Sequence, residues 1–184
     1  MRQNDHKRVR NVIDRLGRIL AAEEWSDEIN PTQWTALSYL ARANKYSRSP
    51  SQVADYMSAT RGTVSQTLKA LARKGLVTEN LSEQDKRSIS YSLTEEGRRI
   101  LDRDNLVEQA ASLLLAQERS ALLDGLEALI RKALQQRGSK AFGVCKTCTH
   151  HEKMDRGGYC RLLDEPLAPE EAEQICYEYS DNTI

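Results

Sequence analysis

The chain has 184 residues and a mass of 20.9 kDa, enough for one hydrophobic core and a small additional module. Hydrophobic residues make up 39% and charged residues 29%, which excludes an intrinsically disordered chain. No apolar run reaches the roughly 18 residues that a membrane-spanning helix needs, and the N-terminus carries no apolar signal segment. We therefore expect a cytoplasmic, mostly helical protein with no membrane contact.

The formal net charge is zero, but the charges are distributed unevenly. Residues 40–93 carry nine Lys and Arg against four Asp and Glu, a local charge of +5. Residues 141–184 carry four against nine, a local charge of −5. The basic middle of the chain predicts a face that binds a polyanion.

Helical spacing of apolar residues and helix-start signals predict four helices in the first half of the chain. The pairs Asn30-Pro31 and Ser49-Pro50 each supply an N-cap followed by proline at the first helical position. Gly75 supplies a C-terminal cap. The helices are predicted over residues 5–22, 31–43 (with Trp34, Leu37, Leu40 and Ala41 inward), 51–57 and 61–74.

The apolar period then changes to two, which predicts strands over residues 76–78 and 88–93 with a polar hairpin loop between them. Thr94 caps the next helix, and the helical pattern continues to residue 136 as two helices that meet near residues 116–117. We place a domain boundary after this stretch. The predicted domains are residues 1–139 and 140–184.

The fourth helix has a clear division between an apolar face and a polar face. Val64, Leu68 and Leu71 recur at i, i+4 and i+7 and predict the core side. Polar residues on the outer side predict DNA contacts, with Gln66 chemically suited to adenine and Lys and Arg to phosphates. These residues are Arg61, Thr63, Ser65, Gln66, Lys69 and Arg73. Lys86 and Arg87 lie at the hairpin tip, where an arginine can enter a narrow minor groove.

A polar outer face is also what an ordinary solvated helix shows. The order of helices followed by a two-stranded hairpin, the basic hairpin tip and the +5 local charge favour a DNA-binding winged helix-turn-helix. The predicted fold class is mainly α with a small β-hairpin wing, dimeric, plus a small metal-stapled C-terminal module.

The same stretch resembles the MarR family of bacterial transcriptional regulators. The resemblance rests on residues 68–77 (LKALARKGLV), on Asp85-Lys86-Arg87, and on residues 93–98 (LTEEGR), and with the flanking helices it covers about residues 6–137. It implies a homodimer joined by the first and last helices, with two recognition helices that read a palindromic operator in double-stranded DNA.

By position, Arg61, Thr63, Ser65 and Gln66 match base-reading residues of the family, and Arg87 matches its wing-tip arginine. Asp85 matches the wing acid that braces an arginine. The chain departs from the family at Glu79, where an arginine is usual.

All four cysteines, Cys145, Cys148, Cys160 and Cys176, lie in the last 40 residues. A chain kept in a reducing compartment uses clustered cysteines as metal ligands before it uses them as disulfides. About 44 residues also bury too little apolar surface to fold without a cross-link or metal. The four thiols therefore predict one metal or cluster site.

Four sulfur ligands suit either an iron–sulfur cluster or tetrahedral zinc. Structural zinc usually takes two close cysteine pairs, whereas this chain has one pair and two separate cysteines, which favours a [4Fe-4S] cluster. The tail is also similar to small high-potential-type iron–sulfur modules, including small subunits of some glycyl-radical enzymes. Zinc, and a thiol switch without metal, stay open. His150 and His151 are possible zinc ligands, but an exposed polar turn is the simpler interpretation.

The leading hypothesis is a repressor of MarR type whose iron–sulfur cluster senses redox state, iron or a diatomic gas. A second hypothesis makes the tail a zinc staple and the signal a small aromatic molecule. A third is a redox or electron-transfer protein. We expect no enzyme activity, because the sequence has no nucleotide-binding glycine loop and no Ser/His/Asp set.

Overall fold

The computed structural model describes residues 4–25, 28–81, 89–103 and 105–180. The helices in this part of the chain are α1 (Asp5–Glu23), α2 (Pro31–Arg42), α3 (Pro50–Tyr56), α4 (Arg61–Arg73), α5 (Glu95–Leu101), α6 (Leu106–Ser112), α7 (Ala116–Arg137) and α8 (Pro169–Ala172). The strands are β1 (Val77–Leu81), β2 (Ile89–Leu93), β3 (Gly143–Val144), β4 (His151–Lys153), β5 (Gly158–Cys160), β6 (Glu165–Leu167) and β7 (Ile175–Cys176). Single 3₁₀ turns cover Lys45–Ser47 and Cys145–Thr147.

The starts of α2 and α3 are set by reciprocal side-chain caps. Asn30 accepts from the backbone N–H of Gln33, whose side chain accepts from the N–H of Asn30, and Ser49 and Gln52 repeat the arrangement. Each pair satisfies two backbone donors that a helix leaves free at its N-terminus. The predicted starts at these two positions are therefore correct to within one residue.

The main core lies between α2, α3, α4, the β1–β2 hairpin and α5. Val64, Leu68 and Leu71 are fully buried, so the predicted core side of α4 is confirmed. In α2 the buried positions include Leu37 and Leu40 as expected, but Ala41 is exposed. The buried stripe of α2 runs instead through Gln33, Ala36, Leu37, Tyr39 and Leu40.

The predicted pair of helices between residues 94 and 136 is wrong, because three helices occupy this stretch. The additional break falls between α5 and α6, where Asn105 accepts from the backbone N–H groups of Val107 and Glu108 and starts a new helix. Strand β1 is also longer than predicted. It pairs with β2 as far as Leu81 opposite Ile89.

Helices α1 and α7 contain no fully buried residue. Large apolar side chains on both helices are exposed in the single chain, including Val12 at 59%, Leu123 at 57% and Ile130 at 59%. Among the described residues, no helix is both long and apolar enough to cross a bilayer.

The cysteine-rich tail, residues 140–180, packs against the helix-turn-helix rather than hanging from the end of α7. It contains a β3–β7 pair and a three-stranded antiparallel sheet in the order β4-β5-β6. Phe142 contacts the rings of Tyr56 (centroids 5.2 Å apart), Tyr177 (5.5 Å) and Tyr39 (6.1 Å). Ile175 forms a parallel bridge with Ala43, just after α2. These contacts join the tail to the main core.

Candidate DNA-binding face and cysteine site

Helix α4 is held at its start and on one side. Thr60 accepts a hydrogen bond from the backbone N–H of Thr63 at 3.2 Å and caps the helix. The turn from α3 passes through Ser58, whose φ of 50° is in the left-handed region, and the N–H of Ala59 donates to the carbonyl of Ala54 at 3.0 Å. With Val64, Leu68 and Leu71 buried behind it, α4 presents its opposite side to solvent.

The six residues predicted on α4 lie on or beside this exposed side. Ser65 is half-buried, and the other five are exposed. The Thr63 hydroxyl is already 2.9 Å from that of Thr60, so part of its hydrogen-bonding capacity serves the cap. The exposed residues are Arg61, Thr63, Gln66, Lys69 and Arg73.

The positive charges of α4 divide into free and structural ones. Within the described part of the chain, Arg61, Lys69 and Arg73 form no ion pair, so their charges are available to a phosphate backbone. Lys74, the C-cap residue, instead donates to the side-chain oxygen of Gln33 at 3.0 Å and to the carbonyl of Glu28. Lys74 therefore fastens the end of α4 to the start of α2.

The wing strands beside α4 are tied by side chains as well as by the ladder. The Tyr91 hydroxyl donates to Glu79 at 2.5 Å, and the Asn80 amide donates to the Ser92 hydroxyl at 3.0 Å. Burial, and then the bond to Glu79, raise the pKa of Tyr91 to about 12. Glu79, the departure from the family pattern, thus takes a structural role inside the wing. Lys86, Arg87 and Asp85 lie outside the described residues.

The four cysteines reach one cavity from three separate places in the tail. Cys145 begins the 3₁₀ turn after β3 and Cys148 follows that turn, while Cys160 ends β5 and Cys176 ends β7. All four line the same cavity, together with His150 and His151. The sequence separation between Cys145 and Cys176 is closed by the β3–β7 pairing, in which Gly143 lies opposite Cys176.

Cys145 and Cys176 are buried and share a hydrogen bond. The bond that Cys176 accepts from Cys145 lowers the pKa of Cys176 to about 6 and raises the pKa of Cys145. A thiolate is the form in which cysteine binds metals.

Two hydrogen-bond donors point at the cysteine sulfurs, and one of them lies outside the tail. The Asn44 amide donates to the Cys145 sulfur at 3.4 Å, and the backbone N–H of Ser180 donates to the Cys148 sulfur at 3.4 Å. The Ser47 hydroxyl accepts a hydrogen bond from the backbone N–H of Tyr177, the residue after Cys176, at 2.8 Å. Sequence reasoning missed Asn44 and Ser47, because they lie about a hundred residues before the cysteines and belong to no cysteine motif.

His151 lines the cavity, and its Nδ1 is buried without a hydrogen-bond partner among the described residues. In that same part of the chain, no group of three or more His, Cys, Asp or Glu side chains is arranged to hold a metal ion. The structure thus brings the four predicted ligands to one cavity but not into a ready single-ion site. The ligand set and the cofactor stay predictions.

The arrangement of α2, α3, α4 and the hairpin defines the chain as a winged helix-turn-helix protein. Residues 28–88 match the model of the MarR family. This match runs from just before α2 to the residue before β2. No curated protein is similar enough to the sequence to count as a match.

Solved structures similar to this chain include two complexes with DNA. The chain is similar to FabT of Streptococcus pneumoniae in complex with DNA, at 26% identity and a TM-score of 0.55, covering 71% of this chain and 99% of that one. It is similar to the S. aureus MepR–DNA complex at 20% identity and 0.56, covering 69% and 96%. It is also similar to the regulator BldR of Sulfolobus solfataricus at 21% and 0.57, covering 72% and 99%. The predicted MarR-type fold is therefore confirmed.

Proposed function

We propose that this protein is a transcriptional repressor of the MarR family that binds a palindromic operator in double-stranded DNA. The observation that carries the proposal is the exposed side of α4, where Gln66 lies among cations that form no ion pair with any carboxylate of the described residues. An exposed helix with short polar groups and free positive charge is what major-groove binding requires. The FabT and MepR structures, which hold DNA, support the same use of this fold.

The proposed repressor is a homodimer. The exposed apolar side chains of α1 and α7 support this, because two helices that bury nothing in the single chain are stabilised by a second copy. Twofold symmetry then presents two α4 helices to the two halves of a palindrome.

The proposed cofactor is a [4Fe-4S] cluster ligated by Cys145, Cys148, Cys160 and Cys176. Support comes from the convergence of all four thiols on one cavity, and from the donors aimed at their sulfurs. Hydrogen bonds to sulfur are among the interactions by which proteins tune such clusters. One close cysteine pair with two separate cysteines, rather than two close pairs, favours an iron–sulfur cluster over zinc. When bound, the cluster supplies sensitivity to redox state, iron supply or a diatomic gas.

The cofactor is tested on protein purified without oxygen. We expect a brown protein with about four irons per chain and absorption near roughly 400 nm. The variant Cys148→Ser replaces one ligand by a harder oxygen donor and should lose most of the iron. Lys146→Ala, a change between the same two cysteines that leaves all thiols, should keep it. Colourless parent protein that holds zinc would contradict the cluster and leave the DNA-binding proposal intact.

DNA binding is tested by selecting double-stranded fragments from a random-sequence library with the purified parent protein. We expect a palindromic consensus with two half-sites about one helical turn apart. Protein that enriches no sequence, in the presence or absence of its cofactor, would contradict the proposal.

A further inference from the structure

The connection between α2 and α3, residues 43–48, lies between the cysteine site and the DNA-binding domain and contacts both. We call it the junction segment. Asn44 and Ser47, two of its members, are each only 1% exposed although both are polar. The tail bonds the side-chain amide and the backbone N–H of Asn44 and the hydroxyl of Ser47, whereas the Asn44 side-chain oxygen accepts from the backbone N–H of Tyr46 within the segment.

On the tail side, three hydrogen bonds hold the junction segment. The Asn44 amide donates to the Cys145 sulfur at 3.4 Å, and its backbone N–H donates to the carbonyl of Ile175 at 2.9 Å. The Ser47 hydroxyl accepts from the backbone N–H of Tyr177 at 2.8 Å. Ile175 and Tyr177 flank Cys176. The three bonds therefore connect the segment to Cys145 directly and to Cys176 through its two neighbours.

On the other side, the junction segment is bonded to the helix-turn-helix and to the wing. The Ser47 carbonyl accepts from the Tyr39 hydroxyl of α2 at 2.6 Å, and the Tyr46 carbonyl accepts from the Gln52 amide of α3 at 2.9 Å. The Arg48 carbonyl accepts from the backbone N–H of Tyr91, in wing strand β2, at 3.0 Å.

The segment is also closed on itself. The Arg48 guanidinium donates twice to the carbonyl of Ala43, at 3.0 and 2.8 Å. A loop fastened at both ends and bonded on both sides transmits a displacement instead of absorbing it.

We propose that the junction segment couples the state of the cysteine site to DNA affinity, and that the Asn44 amide is the group that reads that state. The proposal rests on the proposed function, namely that the four cysteines bind a cofactor and α4 binds DNA. An amide donor bonds more strongly to a metal-bound thiolate than to a neutral thiol. When the cofactor leaves, the bond from Asn44 to the Cys145 sulfur weakens, and because Asn44 is buried, no water replaces what is lost, so the segment shifts.

The displacement reaches DNA through two bonds already described, from Arg48 to the wing strand and from Tyr46 to α3. The coupling is a free energy shared by two sites, so it acts in both directions. Bound operator must therefore change the retention of the cofactor by the same factor by which the cofactor changes operator affinity. This reciprocity separates coupling from a general loss of fold.

The test compares cofactor-loaded and iron-chelated protein, with the DNA fragment selected by the parent as the probe. Asn44→Ser keeps a side-chain oxygen that caps the Lys45–Ser47 turn but is too short to reach the Cys145 sulfur. Ser47→Ala keeps the Asn44 donor and removes the acceptor of the Tyr177 N–H. Tyr159→Phe is the control, because it removes a hydroxyl that bonds Asp164 within the tail, away from the junction segment.

For the parent and for Tyr159→Phe we expect operator affinities of the two states to differ by roughly 5- to 150-fold, the usual range of allosteric coupling. For Asn44→Ser and Ser47→Ala, with iron content retained, we expect this ratio to fall towards one, and operator to stop altering cofactor loss. If Asn44→Ser loses the cofactor, the ratio of operator affinities measured for Ser47→Ala tests the inference instead.

A parent-like ratio in the junction variants would overturn the inference while leaving the proposed function standing. A parent that holds the cluster and binds DNA equally in both states would overturn it too, because nothing would then be coupled. A parent with no cofactor or no operator would instead contradict the proposed function itself.

Discussion

Gln66 and Lys69 are both proposed to contact DNA, but their side chains suit different parts of it. Both are exposed on α4, yet an amide can form two hydrogen bonds with an adenine edge while an ammonium is suited to phosphate. Replacing Gln66 should therefore change base preference, whereas replacing Lys69 should change the affinity for all sequences and its salt dependence.

We expect Gln66→Ala to lose about 1–3 kcal/mol of discrimination at particular base pairs with little change in salt dependence. Lys69→Ala should weaken binding to all sequences and lower the salt slope by about 1. Lys153→Ala, which removes the same charge from strand β4 of the tail, is the control. The measurement is a titration of the selected operator and its single-base variants at several salt concentrations. Equal, sequence-independent effects of the two α4 changes would contradict their assignment.

At the scale of elements, the wing depends on a contact that its apolar pattern does not reveal. Tyr91 is 2% exposed, and its hydroxyl reaches Glu79 across the two strands. The hydroxyl adds a hydrogen bond to a charged group at the position where the family usually has an arginine.

Tyr91→Phe should lower the free energy of unfolding by about 1 kcal/mol, because Glu79 is exposed and regains water as a partner. The pKa of Tyr91 rises from 10.0 to about 12 on folding, so its contribution is fully present below pH 10 and is lost as pH rises through about 12. In denaturant titrations the gap between parent and variant should therefore narrow over this range. A gap that does not change with pH would show that Tyr91 is not the group responsible.

Helix starts were predictable from sequence because their causes are local. The capping partners of Asn30 and Ser49 lie only three residues later, so a short stretch of sequence contains both members of each pair. The break before α6 was missed because Asn105 is equally compatible with a continuing polar helix face, and only the structure shows that it caps.

In the molecule as a whole, the sequence does not predict that the tail packs against the helix-turn-helix. The sequence predicts four cysteines acting together, and the β3–β7 pairing brings Cys176 close to Cys145 at the cavity that all four line. It did not predict that Phe142 would enter an aromatic group with Tyr39 and Tyr56, or that Asn44 would meet Cys145. Contacts between residues a hundred positions apart leave no periodic signal.

The exposed apolar faces of α1 and α7 set the expectation for assembly. Sedimentation at micromolar concentration should give twice the chain mass of 20.9 kDa. The double change Leu123→Glu and Ile130→Glu places charge on two exposed positions of α7 and should give a folded monomer with weak operator binding. Parent protein that sediments at the mass of one chain would contradict the dimer.

Control of DNA binding by the cysteine site, as proposed, can be tested with four affinities. Operator binding is measured for the parent and for Cys148→Ser, each with cofactor reconstituted and each after iron chelation. We expect the two parent samples to differ, and both Cys148→Ser samples to match the chelated parent, because that variant cannot hold the complete site. The same affinity in all four samples would show that the cysteine site has no part in regulating DNA binding.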